Sequence, residues 1–166
     1  MNIIELTIAN NYQYKSFFTQ GVVAHQDCFR MSPSDEQYEP FPTRGTADSF
    51  TLGVISEKGE LMGVVSFQRE GATREKLRHK GLLFRMYVAA DHGGKGVGRQ
   101  LVAEVISRAR KLTGIEQINL TVIASNDKAK RLYSQFGFET FSVEKNAIKA
   151  GEQYYTEEQM VLFLLK

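Results

Sequence analysis

Residues 82–112 read LLFRMYVAADHGGKGVGRQLVAEVISRARKL, and their order decides the fold. Leu82 to Ala89 is a run of apolar and β-forming residues, the signature of a buried strand. A polar link, Ala90-Asp91-His92, leads into Gly93-Gly94-Lys95-Gly96-Val97-Gly98. From there Val97, Leu101, Val102, Val105, Ile106, Ala109 and Leu112 recur at helical spacing, so a helix opens at the glycines. A strand, a glycine loop and a helix N-terminus together make a phosphate cradle. Glycine lets the backbone come close, and the first turn offers unpaired N–H groups and the positive end of the helix dipole.

Two familiar glycine motifs are excluded. The G-x-x-x-x-G-K-[ST] loop lacks its Gly-Lys-Ser/Thr, and G-x-G-x-x-G counted from Gly94 and Gly96 ends on Arg99. A plain surface turn is disfavoured, because four glycines in six residues carry a large entropic cost.

The loop resembles the acyl-CoA loop of the GNAT superfamily, the acyl-CoA-dependent N-acyltransferases, whose pattern [QR]-x-x-G-x-[GA] falls on Gly93 to Gly98. The first position departs from it: Gly93 replaces Gln or Arg, which removes one side-chain contact and leaves the backbone cradle. A second segment, Asn126 to Phe138, reads NDKAKRLYSQFGF and matches N-x-x-A-x-x-L-Y-x-x-x-G-F at Asn126, Ala129, Leu132, Tyr133, Gly137 and Phe138. On its own terms it is a helix, capped by Asn126 and stopped by Gly137, with Ala129, Leu132, Tyr133 and Phe136 on one side.

The remaining chain is read around these motifs. Asn2 to Ala9 is a strand, followed by a helix capped by an Asn. Ser32-Pro33-Ser34-Asp35-Glu36 opens a short helix. Ser49–Ser56 and Leu61–Glu70 are strands joined by a turn at 57–60, and residues 71–80 form a longer basic turn. Gln117–Ala124 is a strand, parallel to the central one because a helix connects them. Two more strands are expected, Phe138–Lys145 and Gln159–Leu165, with Ala147–Glu158 as a loop or hairpin connection between them. The apolar run at 160–165 argues for a central strand, completing its own sheet or a partner's in a homodimer. The resemblance implies an α+β fold, an α/β/α sandwich over residues 1–166 as one domain. It implies six to seven mixed, mostly antiparallel strands, a splayed central parallel pair and about four helices.

Composition is that of a globular protein: 166 residues, 42% hydrophobic, 24% charged. No apolar run approaches a membrane span, and the N-terminus lacks a leader pattern. The single cysteine, Cys28, excludes an internal disulfide and fits a cytoplasmic setting. A net charge of +2 does not call for nucleic acid, nor does the resemblance call for a metal. Residues 85–131 nevertheless carry nine Lys/Arg against four Asp/Glu, a local excess suited to a polyphosphate ligand.

For the chemistry, the resemblance implies acetyl transfer from acetyl-CoA to a primary amine in a ternary complex. Met86 and Val88, with Tyr87 between them, are the expected backbone partners of the pantetheine arm. The diphosphate is expected on Gly93, Gly94, Lys95, Gly96, Val97, Gly98 and Arg99. Asn126 and Ala129 are placed along the arm and Lys128 at the cofactor's far end. The Val88 N–H is the expected oxyanion donor, and Tyr133 the expected proton donor to the leaving thiolate. No general base is assigned: Leu82 and Leu83 stand where a Glu is common in the family, and Glu70, Glu75 and His79 read as surface residues. Cys28 is expected to be a buried, inert thiol. Asp27, Asp35, Glu36, Glu39 and Asp48 outnumber Arg30 and Arg44 near the acceptor side, which points to a cationic amine such as a peptide terminus, a lysine or a polyamine. The competing readings are a catalytically silent acyl-CoA sensor on the same fold and a nucleotide-binding module.

Overall fold

The computed structural model describes residues 1–164. Seven strands form one sheet in the order β1-β2-β3-β4-β5-β7-β6: β1 Asn2–Leu6, β2 Ser49–Ile55, β3 Leu61–Arg69, β4 Lys80–Val88, β5 Gln117–Ile123, β6 Glu139–Ala150 and β7 Gln153–Phe163. Among the described residues only β4 and β5 run parallel. Helices α1 (Asn11–Ala24) and α2 (Pro33–Glu36) cover one face; α3 (Val97–Lys111) and α4 (Asp127–Gln135) cover the other. No helix among the described residues is long and apolar enough to cross a membrane.

The helices follow from the apolar stripes. Val97, Leu101, Val102, Val105, Ile106 and Ala109 are the buried side of α3, packed on Phe50, Leu52, Val65 and Phe67 of β2 and β3. On the other face, Tyr14, Phe18 and Val22 of α1 pack with Leu6, Phe41 and Val64. Gly21 is required where α1 meets β4, since a Cβ there would lie 2.6 Å from the Tyr87 ring.

Three expectations need correction. Asn10 makes no side-chain cap for α1. It completes a capping box with Thr7 around a short 3-10 turn, Ile8–Asn10, which ends β1 at Leu6 rather than Ala9. The expected strand ends at Lys145 and Gln159 fall short: of the loop and the hairpin left open for residues 147–158 the structure has the hairpin, β6 and β7 running through them and turning at Gly151, whose φ is +61°. Residues 144–150 of β6 are mostly polar or exposed, so that part carries no apolar alternation for the sequence to reveal. The third concerns Glu36, expected on the polar acceptor side. Its side chain is fully buried, bound to Arg85 and 3.2 Å from Lys15 Nζ. As for the last strand, β7 lies between β5 and β6 in its own sheet, and the predicted end at Leu165 falls outside the described residues.

Arg85 is the irregular point of the central strand. Its φ is +53°, a left-handed conformation that costs a non-glycine residue about 1–2 kcal/mol. The β3–β4 register shifts there, between the Ser66↔Phe84 and Val64↔Tyr87 pairs, which makes a β-bulge. The bulge turns Arg85 toward α1, where Nε donates to the Tyr14 hydroxyl at 2.8 Å and the guanidinium lies 4.1 Å from the Phe18 ring centre. Burial pushes the Tyr14 phenol up to about 12 against the opposing pull of Arg85, so it stays neutral. Glu36 therefore holds the strained residue in place. Glu36→Ala leaves a buried guanidinium and a part-buried ammonium short of their counter-charge, a loss of about 3–5 kcal/mol, and a melting temperature lower by roughly 10 °C for a chain of this size. Circular dichroism melts check this; a midpoint within about 2 °C of the parent contradicts it.

Candidate functional site

The sheet opens on the approach to the bulge and stays open through it. Parallel pairing joins only Lys80–Leu82 to Gln117–Asn119; past these residues β4 and β5 part. Ala89 N–H donates to Met62 O of β3 at 3.0 Å, and strand alternation then turns the backbone groups of Met86 and Val88 away from β3, into the gap. A continuous cavity of about 1140 Å³ fills this gap, just above the ordinary size range of ligand sites. Residues 82–88 of β4, residues 120–123 of β5, the glycine loop, α4 and the segment after α1 all line it.

At one end lies the glycine loop. Gly94 and Gly96 have φ of +75° and +81°, so both positions need glycine. Gly96 is the N-cap of α3 and has no side chain to satisfy the first turn. The first intrahelical bond runs from Gln100 N–H to Gly96 O, leaving the N–H groups of Val97, Gly98 and Arg99 free for an anion. A Cβ on Gly93 would lie 2.8 Å from Lys128 Nζ, so the lysine ammonium rests on the loop itself. Arg99 lies over the Phe136 ring at 5.3 Å and bonds Gln135, keeping a second cation at the rim. His92 also lines the cavity, with Nδ1 buried and unpartnered.

Every expected site residue except Lys95 lines this cavity; Lys95 is exposed at the tip of the loop. The Val97 side chain is core, so only its backbone serves the loop. Asn126 Oδ1 accepts from Ala129 N at 3.2 Å and caps α4, which leaves its amide NH₂ for a ligand. Tyr87 presents its ring to Phe17, Phe29 and His25 on the α1 side, away from Met86 and Val88. Tyr133 is 5% exposed and lines the cavity wall. Burial alone raises its phenol well above the usual range, so it is protonated throughout neutral pH.

The other end is built from Phe18, Cys28, Phe29, Met31, Phe41 and Tyr87, with Arg30, Glu39 and Glu157. The sequence reading did not mark Phe29, Met31, Phe41 or Glu157. Two of the acids it counted are already paired, Glu36 with Arg85 and Lys15, and Asp48 with Arg69 at 3.3 Å. Of the five, only Glu39 lines the cavity. Cys28 is half-buried, not buried, and lines the cavity; desolvation, with Asp27 beside it, raises its thiol, which disfavours the nucleophilic thiolate. Glu70, Glu75 and His79 lie away from the cavity.

A parted strand pair, free helix-opening amides and an adjoining lysine define a cleft for a long ligand bearing phosphates at one end. Comparison with known proteins gives the family. The Acetyltransferase (GNAT) family profile matches residues 18–138, and the chain belongs to that family. The chain is 32% identical over 140 residues to a mycothiol acetyltransferase of Propionibacterium freudenreichii subsp. shermanii, covering 84% of this chain and 41% of that protein. The chain thus spans about two fifths of that relative's length. Among solved structures, a GNAT-family acetyltransferase from Streptococcus pneumoniae superposes with TM-score 0.81 at 19% identity, covering 98% of this chain and 99% of that one. A protein from Salmonella typhimurium solved with its cofactor acetyl-CoA superposes with TM-score 0.80 at 20% identity, covering 100% of this chain and 95% of that one. At such identities the likeness shows a shared fold, the seven-stranded sheet with its single parallel pair.

Proposed function

We propose that the protein is an N-acetyltransferase that moves an acetyl group from acetyl-CoA to a primary amine bound beside it. The observation that carries this reading is the continuity of the cavity: one space runs from the free amides of α3, past the unpaired edge of β4, to Tyr133 and the aromatic end. The amides of Val97–Arg99, with Lys128 and Arg99, hold the diphosphate. Met86 and Val88 bond the amides of the pantetheine arm as an added strand would, and the NH₂ of Asn126 reaches the same arm. That arrangement leaves the thioester near the bulge and the amine site among Phe18, Phe29 and Tyr87.

The chain's own groups then do the chemistry. The Val88 N–H points into the gap and stabilises negative charge on the acyl oxygen as the amine attacks. Tyr133, kept protonated by burial, donates to the departing sulfur. Cys28 takes no covalent part, since its raised thiol is a poor nucleophile at neutral pH. The lone cysteine supports a reducing, cytoplasmic setting, which expression of a fluorescent fusion in cells tests by its distribution.

Free-thiol release from acetyl-CoA with a broad amine panel is the primary assay. Donor binding with no release from any amine would make the protein an acyl-CoA sensor. In the active enzyme, Tyr133→Phe lowers kcat by roughly 100-fold, the size of a lost general acid, while KM for acetyl-CoA stays near the parent value; an unchanged kcat removes Tyr133 from the mechanism. The exposed edge strand β6, with Phe141 at 53% and Val143 at 58% exposure, supports association with a second copy. Light scattering is expected to give twice the 18.8 kDa chain mass, and a monomer at micromolar concentration contradicts it.

A further inference from the structure

Glu157 is a carboxylate in an unusual place. It lies on β7 opposite Ile123 of β5 and Glu144 of β6, is 2% exposed, and lines the cavity at its amine end. Asn126, three residues beyond Ile123, caps the helix that carries Tyr133, so both groups stand at the same end of β5. Burial of a carboxylate is costly unless it is paired and hydrogen-bonded. Its Oε2 is 2.9 Å from Arg30 Nε but accepts no aligned hydrogen bond. Arg30 itself is mostly in solvent, with a side chain 65% exposed. The neighbouring acid Glu158 is occupied elsewhere, by Lys130. What remains at Glu157 is a shielded acceptor aimed at the cavity, with a cation beside it that can swing out to water.

The surroundings restrict what it receives. Besides Arg30, Glu39 and Glu157, and the His25 and Cys28 side chains, this end presents Phe18, Phe29, Met31, Phe41 and Tyr87. A polyamine or a lysine-rich peptide needs several carboxylates in reach. Glu39 is solvent-exposed, so the site holds one buried carboxylate in an aromatic wall, which suits one ammonium on an apolar body, with cation–π contact adding to the hold.

We propose that Glu157 is the catalytic carboxylate that binds the acceptor's ammonium group and takes its proton, and that the acceptor is a monoamine on an aromatic or branched aliphatic body. The assignment rests on the acetyltransferase reading and names the acceptor half of the same site. The ammonium gives one proton to Glu157, which passes it to water. The neutral nitrogen's lone pair forms the new C–N bond, the C–S bond breaks, and its electron pair stays on sulfur. The second proton shed by nitrogen replaces the one that Tyr133 gives to the sulfur. The products are the N-acetyl amine, free coenzyme A thiol and one proton in solution. Desolvation raises Glu157 above the usual carboxylate range, as does Glu144 from β6, while Arg30 on the segment after α1 pulls it down. The first two effects favour proton capture.

Thiol release from acetyl-CoA tests this with 2-phenylethylamine, isoamylamine, spermidine and a lysine tripeptide at equal concentration. We expect kcat/KM for the two apolar monoamines to exceed that for spermidine by at least about tenfold, as a loss of matched charge and apolar contact requires. Glu157→Gln, nearly isosteric, is expected to lose roughly 100-fold in kcat/KM at pH 7 with KM for acetyl-CoA unchanged, and to recover as pH rises and solvent supplies the neutral amine. A packing role alone gives no such recovery. A preference for spermidine or the tripeptide, or a Glu157→Gln enzyme equal to the parent at pH 7, overturns the assignment and leaves the acetyltransferase reading standing. No release from any amine overturns that reading and this assignment together.

Discussion

The site depends on a bulge that the sheet cannot relax. Arg85 is held left-handed in β4 by a buried carboxylate from α2, a phenol from α1 and an aromatic face, within the stretch of β4 that runs unpaired from β5 after Leu82. If the bulge straightened, Arg85 would swap faces and drive its guanidinium toward the α3 core, an arrangement with no counter-charge. Electrostatics thus lock a backbone distortion into the part of β4 that lines the cleft. The cost of that strain, about 1–2 kcal/mol, is small beside the burial that α1 and α3 supply to either face.

The two ends of the cleft follow different physics. At the α3 end, recognition is by backbone: free N–H groups, a dipole and glycine conformations, with Lys128 and Arg99 adding charge. Side chains matter little there, which is consistent with Gly93 standing where the family pattern has Gln or Arg. At the other end, recognition is by side chains on α1, the segment behind it and β7, all outside the two motifs. On the proposed function, the first end takes the acyl-CoA donor and the second the amine acceptor.

That division explains what was legible in the sequence. The glycine loop and the 126–138 segment announce themselves because their chemistry needs particular residues at fixed spacing, and with them came the parallel pair, the splay and the placement of Tyr133. Glu157 stayed hidden because it sits in a polar stretch of a hairpin whose outer strand is exposed, so no periodicity marked residues 147–158 as strands. Arg85 looked like one charge within an apolar run; only the register shift and its φ reveal its role. Glu36 was misjudged for a related reason. A Ser-Pro-Ser-Asp-Glu helix start reads as solvent-exposed, yet its last residue reaches a guanidinium from a distant strand. Long-range pairing of charges leaves no local pattern.

The most direct test is a crystal structure of the protein with coenzyme A. The account predicts the diphosphate on the N–H groups of Val97, Gly98 and Arg99 with Lys128 beside it, and the pantetheine arm between β4 and β5, bonded to Met86 and Val88. A ligand lodged elsewhere, or β4 and β5 paired through Val88 with the gap closed, would contradict it.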